Sequence, residues 1–96
     1  MRGMNPVKLY TKSTCPYCVR AKQLLDQKGV RYEEIDIGRE PSRRQEMIAA
    51  AHGRSTVPQI FIAGRHIGGC DDLHQLEEAG ELDHMLGLGG AQPGVL

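Results

Sequence analysis

The sequence predicts an α/β domain in which helices flank a four-stranded mixed sheet, with the element order β-α-β-α-β-β-α. Three observations predict it. Apolar residues alternate in some segments and recur every three to four residues in others, as strands and amphipathic helices require. The first 37 residues have a compact strand–helix–strand pattern, whose strands should be parallel because a right-handed crossover joins them. The length of 96 residues suits one small domain and not two.

The first strand and helix follow from local signals. Residues 7–11 alternate between apolar and polar side chains and predict the first strand. Pro16 is suited to the first position of a helix, where its missing N–H costs nothing, and Thr14 or Cys15 is its cap. Gly29 is expected to end this helix. Its apolar face comprises Cys18, Ala21, Leu24 and Leu25.

A second strand and helix are predicted next. Residues 31–37 alternate again and predict the strand. Ser42 is expected to cap the following helix, with Gln45 as its capping-box partner three residues later. The helix should bury Met47, Ile48 and Ala51 and end at His52-Gly53.

The last third of the chain predicts a hairpin and two helices. Residues 57–62 and 65–67 predict two strands that turn at Ala63-Gly64. Asp71 or Asp72 is expected to cap the third helix, which runs to about residue 79, and a short helix should cover residues 81–86.

The sequence also predicts the bounds of the domain, and its charge and hydropathy exclude some classes of partner. We expect one domain over residues 6–87 and a flexible C-terminal tail over 88–96, which is rich in glycine and has no periodicity. Twelve basic and twelve acidic residues leave a formal net charge of zero, so we expect no nucleic-acid partner. No apolar segment approaches the roughly 20 residues that span a bilayer, and we expect no membrane association. Because the N-terminus lacks the apolar region of an export signal, we expect a cytoplasmic protein. We also expect a monomer.

The motif Cys15-Pro16-Tyr17-Cys18 carries the chemistry. A C-x-x-C beside a strand–helix–strand pattern indicates a redox-active pair. The unpaired N–H groups and the dipole of the helix N-terminus favour a thiolate on Cys15, which we therefore predict to be the nucleophile. Cys18 lies one turn further on the apolar face, where burial disfavours its thiolate. We predict it to be the resolving cysteine.

Half of a zinc site is the competing interpretation of this spacing. Zinc would need two more ligands, and the sequence has neither a second C-x-x-C nor an H-x₃₋₅-H. We therefore expect no metal. A purely structural disulfide is disfavoured because so short a loop restricts the unfolded chain very little.

Three motifs in register extend the interpretation. They are Cys15-Pro16-Tyr17-Cys18, Thr56-Val57-Pro58 and Gly68-Gly69-Cys70-Asp71-Asp72. With them, residues 6–87 closely resemble the dithiol glutaredoxins, in particular the small bacterial type. The resemblance implies a thioredoxin-like fold and a glutathione-dependent thiol–disulfide oxidoreductase. It implies glutathione as co-substrate and disulfide-containing or glutathionylated proteins as partners.

The resemblance also implies a glutathione site. Thr56-Val57-Pro58 matches the family's cis-proline loop, in which the backbone of Val57 pairs with the cysteinyl part of glutathione. The amides of Cys70 and Asp71 would hold the γ-glutamyl carboxylate and the Asp71 side chain its ammonium. The predicted glutathione-binding residues are Lys12, Tyr17, Arg44, Thr56, Val57, Pro58, Gly69, Cys70, Asp71 and Asp72.

Alternatives stay open for several of these residues. Arg43 or Gln45 could take the place of Arg44, which together with Lys12 would meet the glycyl carboxylate. For Asp72 we expect a capping role to dominate. For Cys70 we favour a backbone contribution over regulatory oxidation of its sulfur.

Two other classes of function are alternatives to the enzyme. One is a carrier in which two protomers and two glutathiones hold a [2Fe–2S] cluster through Cys15. Relatives of that kind usually have residues such as C-G-F-S at this motif, whereas this chain has Pro16-Tyr17. The other is a non-enzymatic thioredoxin-like interaction module, which usually lacks the cysteine pair.

Overall fold

A computed structural model describes residues 5–88 of the chain. The strands are β1 (Val7–Thr11), β2 (Glu33–Asp36), β3 (Gln59–Ile62) and β4 (Arg65–Gly68). The helices are α1 (Pro16–Gln27), α2 (Arg44–Ala50), α3 (Cys70–Glu78) and α4 (Leu82–Leu86), and a short 3₁₀ turn, Pro41–Arg43, precedes α2. The predicted order of elements is confirmed. None of the helices within this part of the chain is long and apolar enough to cross a membrane.

The four strands form one mixed sheet in the order β2-β1-β3-β4. β1 and β2 are parallel, as the crossover through α1 requires. β3 is antiparallel to both β1 and β4. The hairpin between β3 and β4 turns at Ala63 and Gly64, both with positive φ (53° and 81°), which suits the right-handed twist of the two strands.

Helices cover both faces of the sheet, as predicted. Along β1, Val7 and Leu9 face one layer while Tyr10 faces the other, so this central strand is buried on both sides. The larger core lies under α1, α3 and α4 and is formed by residues such as Leu9, Ala21, Leu25, Ile60, Ile62, Leu73, Leu82 and Leu86. The smaller core lies under α2 and consists of Tyr10, Ile35, Ile37, Met47, Ala51 and Phe61.

The start of α2 differs from the prediction. Ser42 does not cap it, because the 3₁₀ turn that begins at Pro41 already places Ser42 inside helical backbone. The residue before α2 is Arg43, with helical φ and ψ (−83° and −6°) and no side-chain capping bond. A capping box with Gln45 therefore does not form, since the capping residue needs extended backbone.

The hairpin begins later than predicted, and one contact lies next to the predicted end of the domain. β3 begins at Gln59 rather than at residue 57. Leu88, predicted to open the tail, donates its N–H to the carbonyl of Asp83 at 2.8 Å and packs against the larger core. The remainder of the predicted tail, residues 89–96, lies outside the described residues.

Candidate active site

The N-terminus of α1 presents the first cysteine. Cys15 is the N-cap of the helix, with extended backbone (φ −93°, ψ 113°) and a half-buried side chain. Its sulfur accepts a hydrogen bond from the backbone N–H of Cys18 at 3.3 Å. Pro16 occupies the first helical position, as predicted. A sulfur that caps a helix N-terminus lies where the unpaired N–H groups and the helix dipole stabilise an anion.

Cys18 is in a different environment, one turn along the same helix. Its side chain is 1% exposed and belongs to the buried face of α1, as predicted. Burial raises the pKa of the Cys18 thiol to about 12, and its hydrogen bond with Cys15 contributes in the same direction. At neutral pH Cys18 is therefore a neutral thiol held beside Cys15.

The loop before β3 lies against the first cysteine. The thiol of Cys15 is 3.7 Å from the carbonyl oxygen of Val57, and the Val57–Pro58 peptide bond is cis, as the resemblance implies. Gln59 is completely buried behind this loop. Its side-chain amide donates to the carbonyl of Thr56 at 3.0 Å and reaches the Thr56 hydroxyl at 3.3 Å. These contacts tether the loop to the start of β3.

The N-terminus of α3 forms the opposite side of the site. The N-cap is Gly69, not Asp71 or Asp72, because Gly69 is the last residue with extended backbone (φ −96°, ψ −165°). Asp72 instead lies in the first turn, where its carboxylate accepts the N–H of Gly69 at 2.8 Å. The expected capping function of Asp72 is thus present, three residues inside the helix.

The close approach of the Asp72 carboxylate to the backbone of Gly68 explains why residue 68 is a glycine. Gly68 has φ +122°, and a Cβ atom there would lie 2.2 Å from Oδ2 of Asp72. The same carboxylate is 3.4 Å from the guanidinium of Arg54. Gly68 therefore leaves the space in which the Arg54–Asp72 pair forms.

A polar groove of about 410 Å³ lies between these elements. Cys15 lies at its border, because its sulfur is next to Val57, one of the lining residues. The predicted residues that line the groove are Tyr17, Thr56, Val57, Pro58, Gly69, Cys70, Asp71 and Asp72. Tyr17 is 53% exposed and leaves its ring available at the rim. Among residues 5–88, no side chain pairs with the carboxylate of Asp71.

Two predicted residues lie outside the lining of the groove. Lys12 is exposed after β1, and its carbonyl accepts the N–H of Cys15 at 3.1 Å. Arg44 is exposed at the start of α2. Its alternative, Arg43, already binds the carboxylate of Glu46 at 2.8 Å. The assignment of Lys12 and Arg44 to glutathione stays a prediction.

Two further residues line the groove and were not predicted from the sequence, Arg54 and Gln75. Gln75 follows Asp71 by one helical turn, so its place on the same face of α3 could have been derived from helix periodicity. Arg54 comes two residues before Thr56, but only the fold shows that it pairs with Asp72, 18 residues away.

Cys70 is the first residue of α3, and its side chain is 5% exposed. Burial raises the pKa of its thiol. Its sulfur is 3.4 Å from Nδ1 of His74, and that nitrogen donates to the Cys70 carbonyl at 2.9 Å. Within residues 5–88, no group of three or more His, Cys, Asp or Glu side chains is arranged to hold a metal ion.

Comparison with known proteins agrees with this geometry. The family model described as Glutaredoxin matches residues 7–67. The Pseudomonas aeruginosa protein named Glutaredoxin is 55% identical over 83 residues, which cover 86% of this chain and 98% of that protein. Glutaredoxin 3 of Escherichia coli K12 is also 55% identical over 83 residues, with 86% and 99% coverage. The crystal structure of a buckwheat glutaredoxin–glutathione complex matches with a TM-score of 0.80 at 39% identity, covering 91% of this chain and 81% of that one.

Proposed function

The chain belongs to the glutaredoxin family of thiol–disulfide oxidoreductases, and we propose that it uses glutathione to reduce protein disulfides and protein–glutathione mixed disulfides. One observation carries this proposal. The sulfur of Cys15 caps α1 at the border of the polar groove, next to the carbonyl of Val57, with the buried thiol of Cys18 one turn away. This arrangement supports an accessible nucleophile beside a site for an extended peptide, with a protected second thiol behind it.

With a glutathionylated protein, the proposed reaction is two exchanges at one sulfur. The Cys15 thiolate attacks the glutathionyl sulfur, a Cys15–glutathione disulfide forms, and the protein leaves as a thiolate that takes up a proton. The thiolate of a second glutathione then attacks the glutathionyl sulfur of that disulfide. Glutathione disulfide leaves, and the Cys15 thiolate is restored. Cys18 takes no part in this route.

With a protein disulfide, Cys18 completes the reaction. Cys15 attacks first and forms a mixed disulfide with one protein sulfur, while the other protein sulfur leaves as a thiol. Cys18 then attacks the sulfur of Cys15, which releases the reduced protein and leaves a Cys15–Cys18 disulfide. Two glutathiones reduce that disulfide and leave as glutathione disulfide.

The raised pKa of Cys18 gives these steps an order. Burial is the largest cause, but the hydrogen bond and the charge interaction with Cys15 also raise it. Both contributions from Cys15 disappear when its sulfur is part of a mixed disulfide, which carries neither a charge nor a proton. The pKa of Cys18 is then lower than in the reduced protein, although burial still raises it, so its thiolate forms more readily after Cys15 has reacted than before.

Glutathione is proposed to lie extended along the groove. Its cysteinyl part pairs with the backbone of Val57, which brings its sulfur to Cys15. Its γ-glutamyl carboxylate meets the first amides of α3, at Cys70 and Asp71, and its ammonium meets the Asp71 carboxylate, which no described side chain occupies. Lys12 and Arg44 are the proposed partners of its glycyl carboxylate.

A glutathione-coupled assay tests the proposal, with a small glutathione mixed disulfide and a protein disulfide as parallel substrates. Cys15→Ser should abolish both activities, since it removes the nucleophile. Cys18→Ser should keep activity on the mixed disulfide and lose it on the protein disulfide. Cys70→Ser is the matched control and should keep both. Turnover by Cys15→Ser, or loss of both activities in Cys18→Ser, would contradict the assigned roles.

A further inference from the structure

Two imidazole rings from different elements meet on the surface beyond the groove. His52 follows α2 and His66 belongs to β4, yet their Nδ1 atoms are 3.2 Å apart and their ring centroids 5.2 Å apart. His52 is exposed and His66 is half-buried. Neither residue lines the groove or takes part in the proposed thiol chemistry. The pair is therefore free to serve another purpose.

Buried hydrogen bonds fix the tautomer of His66. The side-chain nitrogen of Gln59 donates to the Thr56 carbonyl, so the amide oxygen of Gln59 is the end that faces His66. That oxygen is 2.7 Å from Nε2 of His66. An amide oxygen only accepts hydrogen bonds, so Nε2 of His66 must carry a proton. The neutral ring then has its lone pair on Nδ1, directed at His52.

This geometry matches that of two ligands on one ion. Tetrahedral zinc binds imidazole nitrogen at about 2.0–2.1 Å, which places two ligand nitrogens about 3.3 Å apart. The two Nδ1 atoms are 3.2 Å apart. Metal-binding histidines typically donate their other N–H to a fixed acceptor, and Gln59 is such an acceptor for His66. We propose that His52 and His66 form a site for a divalent transition ion that prefers imidazole nitrogen, such as Zn²⁺ or Ni²⁺.

The surroundings allow such a site. His66 stacks on Phe61, with ring centroids 5.1 Å apart, which holds its ring in place. The charge of Arg54 opposes binding, and its pairing with Asp72 at 3.4 Å offsets part of that charge.

His52 supplies the accessible side of the site. It adopts a left-handed backbone (φ 59°), which side-chain-bearing residues seldom do, and this conformation directs its ring to His66. Because His52 is exposed, water or a small ligand completes the coordination of the ion. Two protein ligands make a weaker site than the four of structural zinc.

Titration of Zn²⁺ into full-length Cys15→Ser/Cys18→Ser protein, followed by calorimetry near neutral pH, tests the proposal without interference from the reactive thiols. One ion should bind. His52→Asn, which tolerates the left-handed backbone, and His66→Gln should each weaken binding by about tenfold or more. His74→Ala and His84→Ala are matched controls that remove one imidazole each and should leave the affinity unchanged. Since redox activity is not measured, failure here would leave the proposed function untouched.

Nitrogen NMR of the histidine rings gives a second readout in the same protein. Zn²⁺ should shift Nδ1 of both His52 and His66, while Nε2 of His66 keeps its proton. The proposal is wrong if binding survives in the His52→Asn/His66→Gln double variant. It is also wrong if Zn²⁺ at millimolar concentration moves neither ring, which would identify the contact as a direct N–H···N hydrogen bond only.

Discussion

Cys15 and Cys18 are three residues apart, yet burial separates their reactivity. Because the pKa of Cys18 is about 12, its thiolate is scarce at every pH up to about 9. We predict that iodoacetamide labels Cys15 first in the reduced protein. In Cys15→Ser protein, labelling of Cys18 should remain slow and should still be rising with pH at about pH 9.5, above the midpoint of a free cysteine. Mass spectrometry of the labelled peptides measures both rates.

The same labelling in guanidinium chloride is the control, because unfolding removes the burial. There Cys18 should label with a midpoint near 8.5, the value of an ordinary cysteine. The direction of the Cys18 pKa shift also determines how the stability of the fold depends on pH. A thiol whose pKa is raised by folding stabilises the fold below its unfolded pKa, and this contribution is lost as the pH rises toward 12. If the labelling rate of Cys18 in the folded protein rose with a midpoint near pH 8.5, burial would not be the cause of its raised pKa.

Asp71 and Asp72 are neighbours with different environments, and this difference is testable. Asp72 accepts the Gly69 N–H and pairs with Arg54, whereas Asp71 has neither contact. Asp71→Ala should raise the KM for glutathione by up to about tenfold, since one accessible charge-assisted contact is worth about 1–2 kcal/mol. Asp72→Ala should instead lower stability by about 1 kcal/mol through loss of the capping contact. Steady-state kinetics and thermal melts separate the two effects.

A glutathione analogue without the γ-glutamyl group sharpens this comparison. If Asp71 binds the γ-glutamyl ammonium, Asp71→Ala should leave the KM for the analogue unchanged. Equal losses with glutathione and with the analogue would mean that Asp71 acts through the helix and not through the substrate. That result would contradict the proposed contact.

At the scale of single elements, local signals predicted α1 better than they predicted α2 and α3. Pro16 and Gly29 mark the ends of α1 by their own backbone chemistry, and the helix obeys them. Ser42 carried a valid capping signal, but Pro41 starts a helical turn one residue earlier. At α3 the cap is Gly69, whose extended backbone no side-chain preference could reveal.

The ends of three helices meet at Lys28, the C-cap of α1. Its ammonium is 2.7 Å from Glu77 in α3 and 2.7 Å from Asp83 in α4, and its side chain is only 16% exposed. Lys28→Met keeps the apolar stem but removes both ion pairs. We predict a loss of about 1 kcal/mol, which in a domain of this size lowers Tm by about 4–8 °C. Thermal unfolding followed by circular dichroism measures it.

Lys22→Met is the matched control, because its pair with Glu34 (2.9 Å) is more exposed and should contribute less. The direction of the Lys28 pKa shift also determines how the stabilisation by its ion pairs depends on pH. Burial lowers the pKa of Lys28, but its bonds to Asp83 and Glu77 outweigh this and raise it. The stabilisation is therefore complete below the unfolded pKa of about 10.4 and lost at higher pH. An equal effect in both variants would mean that Lys28 is an ordinary surface lysine.

For the whole molecule, periodicity predicted the architecture, and the family resemblance, which rests on three contiguous motifs, named most of the residues that line the groove. The alternation in β1 and the apolar face of α1 determine which sides are buried, and both are confirmed. Contacts between distant segments could not be predicted in this way. Arg54 reaches Asp72 and His52 reaches His66 only because the loop after α2 packs beside β4 and α3.

Residues 89–96 give the last prediction, at the scale of the whole chain. The described part closes its own core: Leu82 and Leu86 of α4 are completely buried, and Leu88 packs against the same cluster. The sequence of residues 89–96 lacks the periodicity of a packed element. Deleting them should therefore change Tm by less than about 4 °C, equivalent to less than 1 kcal/mol, and leave glutathione-coupled activity unchanged. Deletion from residue 86 onward is the contrasting variant, since it removes buried Leu86 and should cost about 2–5 kcal/mol. If the shorter deletion lowers Tm as much as the longer one, residues 89–96 contribute to the folded domain and the predicted boundary at residue 87 is wrong.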